Sequence, residues 1–254
     1  MITNVLLALL ASITVLSGPL FHGSLGAQEK PLRIYGSESP FAAMTECAER
    51  FTRIHGIKTE VVTGQGAKWV ARAREDADIV YEETEYNLTH LINRNPCILD
   101  EHSRISLYAQ PAGILVRKGN PKGIRSLKDL AGAGIYLLDV DGEGYQGLWE
   151  DVAGKKGLIP EIRKRIGVTV ETSAEAIEKW RTAPALDAWI TFESWHYRLK
   201  DLTDLVRLPK DERTYRGTAA VATHYFKNRD AARMFLEFLK TPECHAVFKK
   251  WGWE

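Results

Sequence analysis

Short polar loops that precede predicted helices hold the residues of this sequence best suited to bind a ligand. Ser37-Glu38-Ser39 comes directly before a helix predicted to begin at Pro40. Serine hydroxyls and unpaired backbone N–H groups at a helix start attract an anionic group, because the helix dipole is positive there. Helix capping explains one of the two serines equally well. We therefore name Ser37 and Ser39 as candidate ligand contacts.

A second loop, at 63–66, leads into Lys68 and Trp69. Glycines such as Gly64 let a ligand approach the backbone closely, and Lys68 is suited to pair with a carboxylate or an oxyanion. Trp69 either lines such a pocket or packs in the core. Gly64, Gln65 and Lys68 are the strongest candidate contacts in the sequence.

No stretch of the sequence has the spacing of a catalytic motif. The patterns Gly-x-Ser-x-Gly, His-Glu-x-x-His and Gly-x-x-x-x-Gly-Lys-Ser/Thr are absent, and the seven histidines are scattered. We predict no enzymatic activity, no catalytic residues, no metal ligands and no cofactor.

The elements that position these loops alternate between short apolar runs and amphipathic helical patterns, which is typical of an α/β protein. The predicted strands lie at 32–35, 58–62, 77–81, 108–117, 135–140, 168–171, 186–192 and 215–223. The predicted helices lie at 40–55, 67–75, after Ser126, at 147–152, from Thr172 or Ser173 to 180, at 229–240 and from 241 onward. In such a sheet, ligands bind beyond the carboxyl ends of the strands, where these loops meet.

The charged residues are balanced in number but uneven in position. The 34 Lys and Arg residues against 33 Asp and Glu residues give a net charge of +1, which removes any compositional case for nucleic-acid binding. No charged residue precedes Glu29, and the apolar run at 5–16 fits a signal-peptide core but is too short to span a bilayer. We predict a signal peptide over residues 1–27 and a periplasmic protein.

Three cysteines, Cys47, Cys97 and Cys244, are too few for a disulfide scaffold. In an oxidising compartment one pair can bridge and leave an odd thiol, and the spacing does not choose the pair.

Several phrases, in this order along the chain, resemble the extracellular solute-binding proteins of bacterial import systems, particularly the molybdate- and sulfate-binding branch. They are GILVRKGNPKGI at 113–124 with SLKDL at 126–130, and FLEFLKTPE at 235–243 with FKKWGW at 248–253. The phrases GLWEDVAG at 147–154, DAWI at 187–190 and KWGW at 250–253 are similar to the accessory colonization factor AcfC group of that superfamily. The resemblance spans residues 31–254.

The resemblance implies a type II periplasmic-binding-protein-like fold with two α/β lobes, each a mixed sheet flanked by helices, and a hinge of two crossover strands. The first lobe would take residues 31–112 and 218–254, with all three cysteines, and the second lobe 113–217. Arg117 and Arg216 would then lie on the crossover strands, where a guanidinium is able to grip a carboxylate in the cleft.

The same resemblance implies further contacts in the second lobe. Gly144, Tyr145 and Gln146 belong to the loop at 141–147, which corresponds by its order in the chain to that lobe's main ligand loop. Glu193 follows a buried strand, at a point where the superfamily places a polar or aromatic contact.

The third loop of the first lobe departs from the superfamily. Glu82, Glu83 and Glu85 stand where relatives carry small or hydroxyl residues. A solvated surface is the usual explanation of such a charge run. If Glu82 points inward, however, a zwitterionic or cationic ligand, or a bound metal, fits better than a simple oxyanion.

We therefore predict a monomeric solute-binding protein that captures a small polar or anionic ligand, such as an oxyanion, an amino acid or a carboxylate, and delivers it to a membrane transporter permease. The alternative is a colonisation- or adhesion-related interaction protein on the same fold. A transcription regulator's effector domain would need an N-terminal helix-turn-helix, and here that position holds the charge-free leader.

Overall fold

Alternating strands and helices run through the whole described part of the chain. The computed structural model describes residues 30–254 except positions 65, 143 and 225–227, and of residues 66–68 it describes the backbone. The signal peptide predicted over residues 1–27 lies outside the described residues and stays a prediction. Within the described ranges, no helix has both the length and the apolar character needed to cross a membrane.

The described residues form nine strands and ten α-helices. The strands are β1 (Leu32–Gly36), β2 (Thr59–Thr63), β3 (Ile79–Glu82), β4 (Ile105–Arg117), β5 (Leu137–Val140), β6 (Ile166–Val170), β7 (Ala188–Phe192), β8 (Thr203–Val206) and β9 (Tyr215–Ala222). The helices are α1 (Phe41–His55), α2 (Gly66–Asp76), α3 (Glu85–Arg94), α4 (Leu127–Leu130), α5 (Leu148–Gly154), α6 (Ile159–Arg163), α7 (Ser173–Thr182), α8 (Ser194–Arg198), α9 (Arg229–Leu239) and α10 (Pro242–Lys250).

The strands join in the order β2-β1-β3-β9-β4-β7-β5-β6, with β8 paired to β4. β1 is parallel to β2 and β3, and β5 is parallel to β6 and β7, whereas β9 and β4 run antiparallel to their neighbours. The arrangement is thus two mixed sheets joined through β4.

Strand β4 belongs to both halves of the molecule. Its first part, to Pro111, pairs with β9, and from Ala112 onward it pairs with β7. Backbone hydrogen bonds hold the point of exchange, from Glu193 N to Pro111 O (2.9 Å) and from Ala112 N to Thr214 O (2.8 Å). The chain crosses between the lobes along β4 and returns through the segment that leads into β9. This path confirms the predicted two-lobed α/β fold with two crossover strands. The exact lobe boundaries stay a prediction.

Each lobe has its own apolar core. In the first lobe, α1, α9 and α10 bury their apolar sides against one face of the sheet, and α2 and α3 cover the other face. The second lobe has a separate core that includes Trp180, Trp189 and Trp195. Because the apolar burial is divided in this way, most of the hydrophobic stabilisation lies within the lobes and not between them.

Periodicity explains why the helices form where they do. In α1 the buried residues Ala43, Met44, Cys47, Ala48 and Phe51 recur at helical spacing on one face. Threonine caps begin other helices: the Thr172 side chain accepts from Glu175 N, and the Thr241 side chain accepts from Cys244 N. The sequence did not predict α3, α6, α8 or β8, which are short or begin in a charged run.

Candidate functional site

A cavity of about 340 Å³ opens at the carboxyl ends of the parallel strands β1, β2 and β3. The three strands end at Gly36, Thr63 and Glu82, so the segments that follow them meet at one edge of the sheet. Helix α3 forms one wall of the cavity, and Gln146 reaches it from the second lobe. The lining residues are Ser37, Glu38, Gly64, Trp69, Val70, Glu82, Glu83, Tyr86, Asn87, His90, Leu91, Arg94 and Gln146.

Ser37 contributes a hydroxyl that has no hydrogen-bond partner among the described residues. It follows β1 directly and lies shortly before α1, and its Oγ is buried. A buried hydroxyl left unpaired costs free energy unless a ligand or water satisfies it. Because this one lies at the cavity, beside the positive end of a fifteen-residue helix, it is well placed to meet an anionic group.

Ser39 does not line the cavity and instead joins a buried network between the lobes. Its Oγ donates to Gln110 Oε1 (3.1 Å) and lies 3.4 Å from Ser194 Oγ on α8. Gln110 in turn donates from Nε2 to Glu83 O (2.9 Å). The network accounts for Ser39 as a link between the lobes, and its predicted role as a ligand contact stays a prediction.

The acidic run predicted as a loop divides into inward and outward residues. Glu82 and Glu83 are 7% and 1% exposed and line the cavity. Glu85 turns the other way and pairs with Arg104, whose Nε lies 3.0 Å from Glu85 Oε2. Helix α3 begins between the inward and outward glutamates, because the side chain of Thr84 caps it by accepting from Asn87 N (3.0 Å). A solvated surface therefore does not describe the run, and the cavity has an acidic side.

Aromatic and basic residues complete the first-lobe wall. Trp69 is buried in the core with Val80 and also lines the cavity, so both roles weighed from the sequence apply. Farther out, Tyr86 packs edge-on against His90 at 4.4 Å between ring centroids, and Arg94 lies exposed at the rim. The cavity lining thus includes both acidic and basic side chains.

The second-lobe loop contributes less than predicted. Gln146 lines the cavity, and its Oε1 accepts from Gly144 N (3.0 Å). Gly144 has a φ of +89°, and a Cβ placed on it would lie 2.9 Å from Asn87 Nδ2 and 2.9 Å from Thr84 Cγ2. The two lobes therefore touch at Gly144.

Tyr145 is not at the cavity. Its ring packs on Phe192 and its hydroxyl meets Trp195 Nε1 in the second-lobe core. These contacts account for Tyr145 by packing, and its predicted role in binding stays a prediction.

Three further predicted contacts are engaged elsewhere. Arg117 donates to the carbonyls of Trp180, Ala183 and Leu186 at the end of α7 and stacks on Trp180, so its donors are occupied within the second lobe. Arg216 donates to Asp151 Oδ2 (2.9 Å) and Gln146 O (3.2 Å).

Glu193 is buried beside the crossover and accepts from Arg207 Nε (3.1 Å). Burial raises the pKa of its carboxyl, against the lowering effect of Arg207. None of these three residues lines the cavity.

The structure describes the second predicted loop in part. Gln65 lies outside the described residues, and Lys68 is placed by its backbone in the first turn of α2. Gly64 lines the cavity. The roles of Ser37, Gly64, Gln65, Lys68, Glu82 and Gln146 in binding stay predictions.

Arg198 is a residue that the sequence did not single out. From α8 of the second lobe, its Nη1 donates to Glu38 O (2.7 Å) in the first lobe, and its guanidinium lies 4.5 Å from the Trp195 ring centroid. Burial lowers the pKa of Arg198, while Glu38, Tyr145 and Tyr81 act in the opposite direction. The five-residue helix that carries it is too short to give a periodic signal, which explains why it was missed.

The described residues contain no group of three or more His, Cys, Asp or Glu side chains arranged to hold a metal ion. The inward Glu82 and Glu83 thus form an acidic side of the cavity without the ligand set of a metal centre.

Comparison with known proteins agrees with this architecture. Peb3 from Campylobacter jejuni is 28% identical, with a TM-score of 0.80 over 88% of this chain and 99% of that one. A crystal structure of L-phospholactate-bound PEB3 matches at 28% identity, with a TM-score of 0.81 over the same shares of the two chains. The periplasmic molybdate-binding protein of Azotobacter vinelandii, 17% identical with a TM-score of 0.68 over 88% and 98%, shows the fold alone.

None of the curated proteins compared with the chain matches it. The similarity to the AcfC group therefore stays a prediction, while the superfamily is confirmed. Residues 32–254 match the model of one family along almost the whole described chain. The chain belongs to the bacterial extracellular solute-binding proteins.

Proposed function

We propose that this protein captures a small organic acid between its two lobes in the periplasm and delivers it to a membrane transporter. The observation that carries the proposal is the buried hydroxyl of Ser37 at the cavity, next to the start of α1, for which the described part of the chain offers no hydrogen-bond partner. An anionic group placed there gains a hydrogen bond and the favourable end of the helix dipole.

The size of the cavity favours an organic ligand. Ligand pockets for small molecules begin at about 300 Å³, and this one holds about 340 Å³. A single tetrahedral oxyanion would leave most of that volume to water, whereas an amino acid, a hydroxy acid or a phosphorylated acid would occupy more of it.

The distribution of charge narrows the class further. Ser37 and the α1 start suit an anionic group, and Glu82 and Glu83, which also line the cavity, suit a hydrogen-bond donor such as a hydroxyl or an ammonium. The bound L-phospholactate of PEB3 is itself a small organic acid, and that protein is 28% identical to this chain. We therefore expect a ligand with one strong anionic group and at least one donor.

Capture follows from the contacts that cross the cleft. Gly144 against Thr84, and Arg198 against Glu38, bring the lobes together beside the cavity. Closure around a ligand would complete the surface that a transporter permease recognises. In this proposal the protein acts as a monomer, carries out no catalytic step and binds no nucleic acid.

A thermal-shift screen tests the proposal directly, because a ligand that binds the folded state raises the melting temperature. The panel holds amino acids, hydroxy acids, phosphorylated acids, sulfate, molybdate, sugars and divalent metals. We expect small organic acids to give the largest shifts and titration calorimetry to confirm them.

The Ser37→Ala variant then localises the site. Loss of one hydrogen bond of about 1 kcal/mol weakens binding roughly fivefold. Ser106→Ala is the matched control, since Ser106 is exposed on β4 away from the cavity. No shift across the panel would favour an interaction protein on this fold instead.

A further inference from the structure

Two of the three cysteines meet inside the first lobe. Cys47 on α1 and Cys244 on α10 are both 0% exposed and belong to one apolar cluster. The two helices that carry them pack against each other, and both cysteines are present as thiols. Cys97 is also a free thiol but is exposed.

The polar contacts on either side of the pair fix the two helices against each other. Glu46, next to Cys47, accepts from Lys250 Nζ (2.7 Å) and Trp251 Nε1 (3.0 Å). Arg50, one turn farther along α1, reaches Glu243 Oε1 (3.3 Å), next to Cys244. The residues adjacent to both cysteines thus bridge the same interface, so the two cysteines are held together by their surroundings.

We infer that Cys47 and Cys244 form a disulfide that joins α1 to α10 when the chain folds under oxidising conditions. Two S–H bonds and the S–S bond of a disulfide oxidant break, and one S–S bond forms between the cysteines; the two electrons and two protons pass to the oxidant, which leaves as two thiols. The oxidant is a disulfide oxidoreductase in the cell or oxidised glutathione in a test tube. The inference depends on the proposed export only for its natural oxidant, and it needs no ligand.

The timing of the bond follows from burial. Only the thiolate attacks a disulfide, and the hydrogen bond with Cys244 together with burial raises the pKa of the Cys47 thiol. A fully buried thiol is also out of reach of an oxidant. Bond formation must therefore precede or accompany the docking of α10, and a chain that folds reduced keeps its thiols.

The bond would act on the helix that carries the candidate site. The loop at Ser37 and Glu38 leads into α1, and α10 lies near the end of the chain. A bridge closing the long loop between residues 47 and 244 restricts the unfolded chain and ties this helix into the lobe.

Thiol counting by mass spectrometry tests the inference. Denatured, reduced protein is refolded in a mixture of oxidised and reduced glutathione, alkylated in denaturant without reductant, and weighed. We expect one alkylated residue, Cys97, and after digestion a linked pair of peptides containing Cys47 and Cys244. Three alkylated residues, or a bridge to Cys97, would overturn the inference.

Two controls keep the result interpretable. Cys97→Ser must still form the bridge and show no free thiol, and failure to do so would count against the pair. Protein folded in a reducing cytoplasm and then given oxidised glutathione without denaturant should keep three thiols. Rapid formation of the disulfide in that folded protein would show that an oxidant reaches the two thiols, which would contradict their burial in a closed interior.

The melting temperature gives an independent readout. The bridged protein should melt several degrees above the reduced one, and a Cys47→Ala/Cys244→Ala double variant should melt at the same temperature with and without reductant. A redox-dependent shift that persists in the double variant would overturn the inference, because Cys97 would then be its source.

Discussion

The Nη1 atom of Arg198, in the second lobe, donates a 2.7 Å hydrogen bond to the main-chain oxygen of Glu38, in the first. Glu38 lines the candidate cavity, and its neighbour Ser37 carries the buried hydroxyl. One partly buried guanidinium therefore connects the position of the second lobe to the segment that faces the candidate cavity.

Replacing Arg198 should weaken ligand binding without unfolding either lobe. A hydrogen bond to a charged group contributes about 1.5–3 kcal/mol, so Arg198→Ala should raise the Kd at least about tenfold. Titration calorimetry with the strongest ligand of the panel measures this, and Arg181→Ala, on an exposed position of the same lobe, is the control. An unchanged Kd would mean that the contact plays no part in closure.

A methyl group on Gly144 should obstruct contact between the lobes. Alanine there places Cβ 2.9 Å from Asn87 Nδ2 and from Thr84 Cγ2. Gly147→Ala is a close control, because Gly147 also has a positive φ, +69°, but has no heavy atom near its Cβ position. Both variants bear a backbone strain of about 1–2 kcal/mol, but only Gly144→Ala should lose ligand affinity more than tenfold.

Calorimetry and small-angle scattering separate the two effects in that pair of variants. The Gly144→Ala protein should remain open when ligand is added. Its radius of gyration should therefore stay larger than that of the original protein with ligand. Equal losses of affinity in both variants would assign the effect to strain alone.

Neutralising Glu82 should change which ligands bind. Glu82 lies 7% exposed at the cavity, where its charge favours a ligand ammonium and repels a second anionic group. We expect Glu82→Gln to weaken amino acids about tenfold relative to dicarboxylates, whereas Glu75→Gln, on an exposed turn of α2, should change neither. Titration curves identical to those of the original protein would refute an electrostatic role for Glu82.

The stability of the α1–α10 interface should depend on acid pH through Glu46. Burial raises the pKa of this carboxyl, but hydrogen bonds from Lys250, Trp251 and Arg50 outweigh it and hold the pKa at about 2. A lowered pKa means that the contribution is complete above the ordinary value of 4.5 and is lost as the pH falls from there towards 2.

Glu46→Gln should therefore lower the melting temperature at pH 7 and match the original protein near pH 2. Glu49→Gln, exposed on the same helix, should have no such pH dependence. A difference in melting temperature that is constant across this range would show that Glu46 acts by packing and not by charge.

Periodic elements could be predicted from the sequence to within about three residues. The strand predicted at 32–35 is β1, and the helix predicted at 40–55 is α1, because alternation and helical spacing are local properties of the chain. Helix α3 was hidden because its Thr84 cap lies inside an acidic run, which is ordinarily a surface feature.

Candidate site residues were predictable where they follow a strand and not where they depend on distant partners. Ser37, Gly64 and Glu82 come directly after β1 and β2 or end β3, and all three line the cavity. Arg117 could be placed near the crossover, but its partners Trp180 and Leu186 are more than 60 residues away, and no local pattern reveals that meeting.

The exchange of partners within β4 has a mechanical consequence. At Pro111 and Ala112 the strand leaves one sheet and joins the other, and both residues are anchored by backbone hydrogen bonds. Proline fixes one of the backbone torsions at this point, which limits local bending of β4. We therefore expect each lobe to move as a rigid body about the crossover strands. A spectroscopic label at any position on one lobe would then report the movement of that whole lobe.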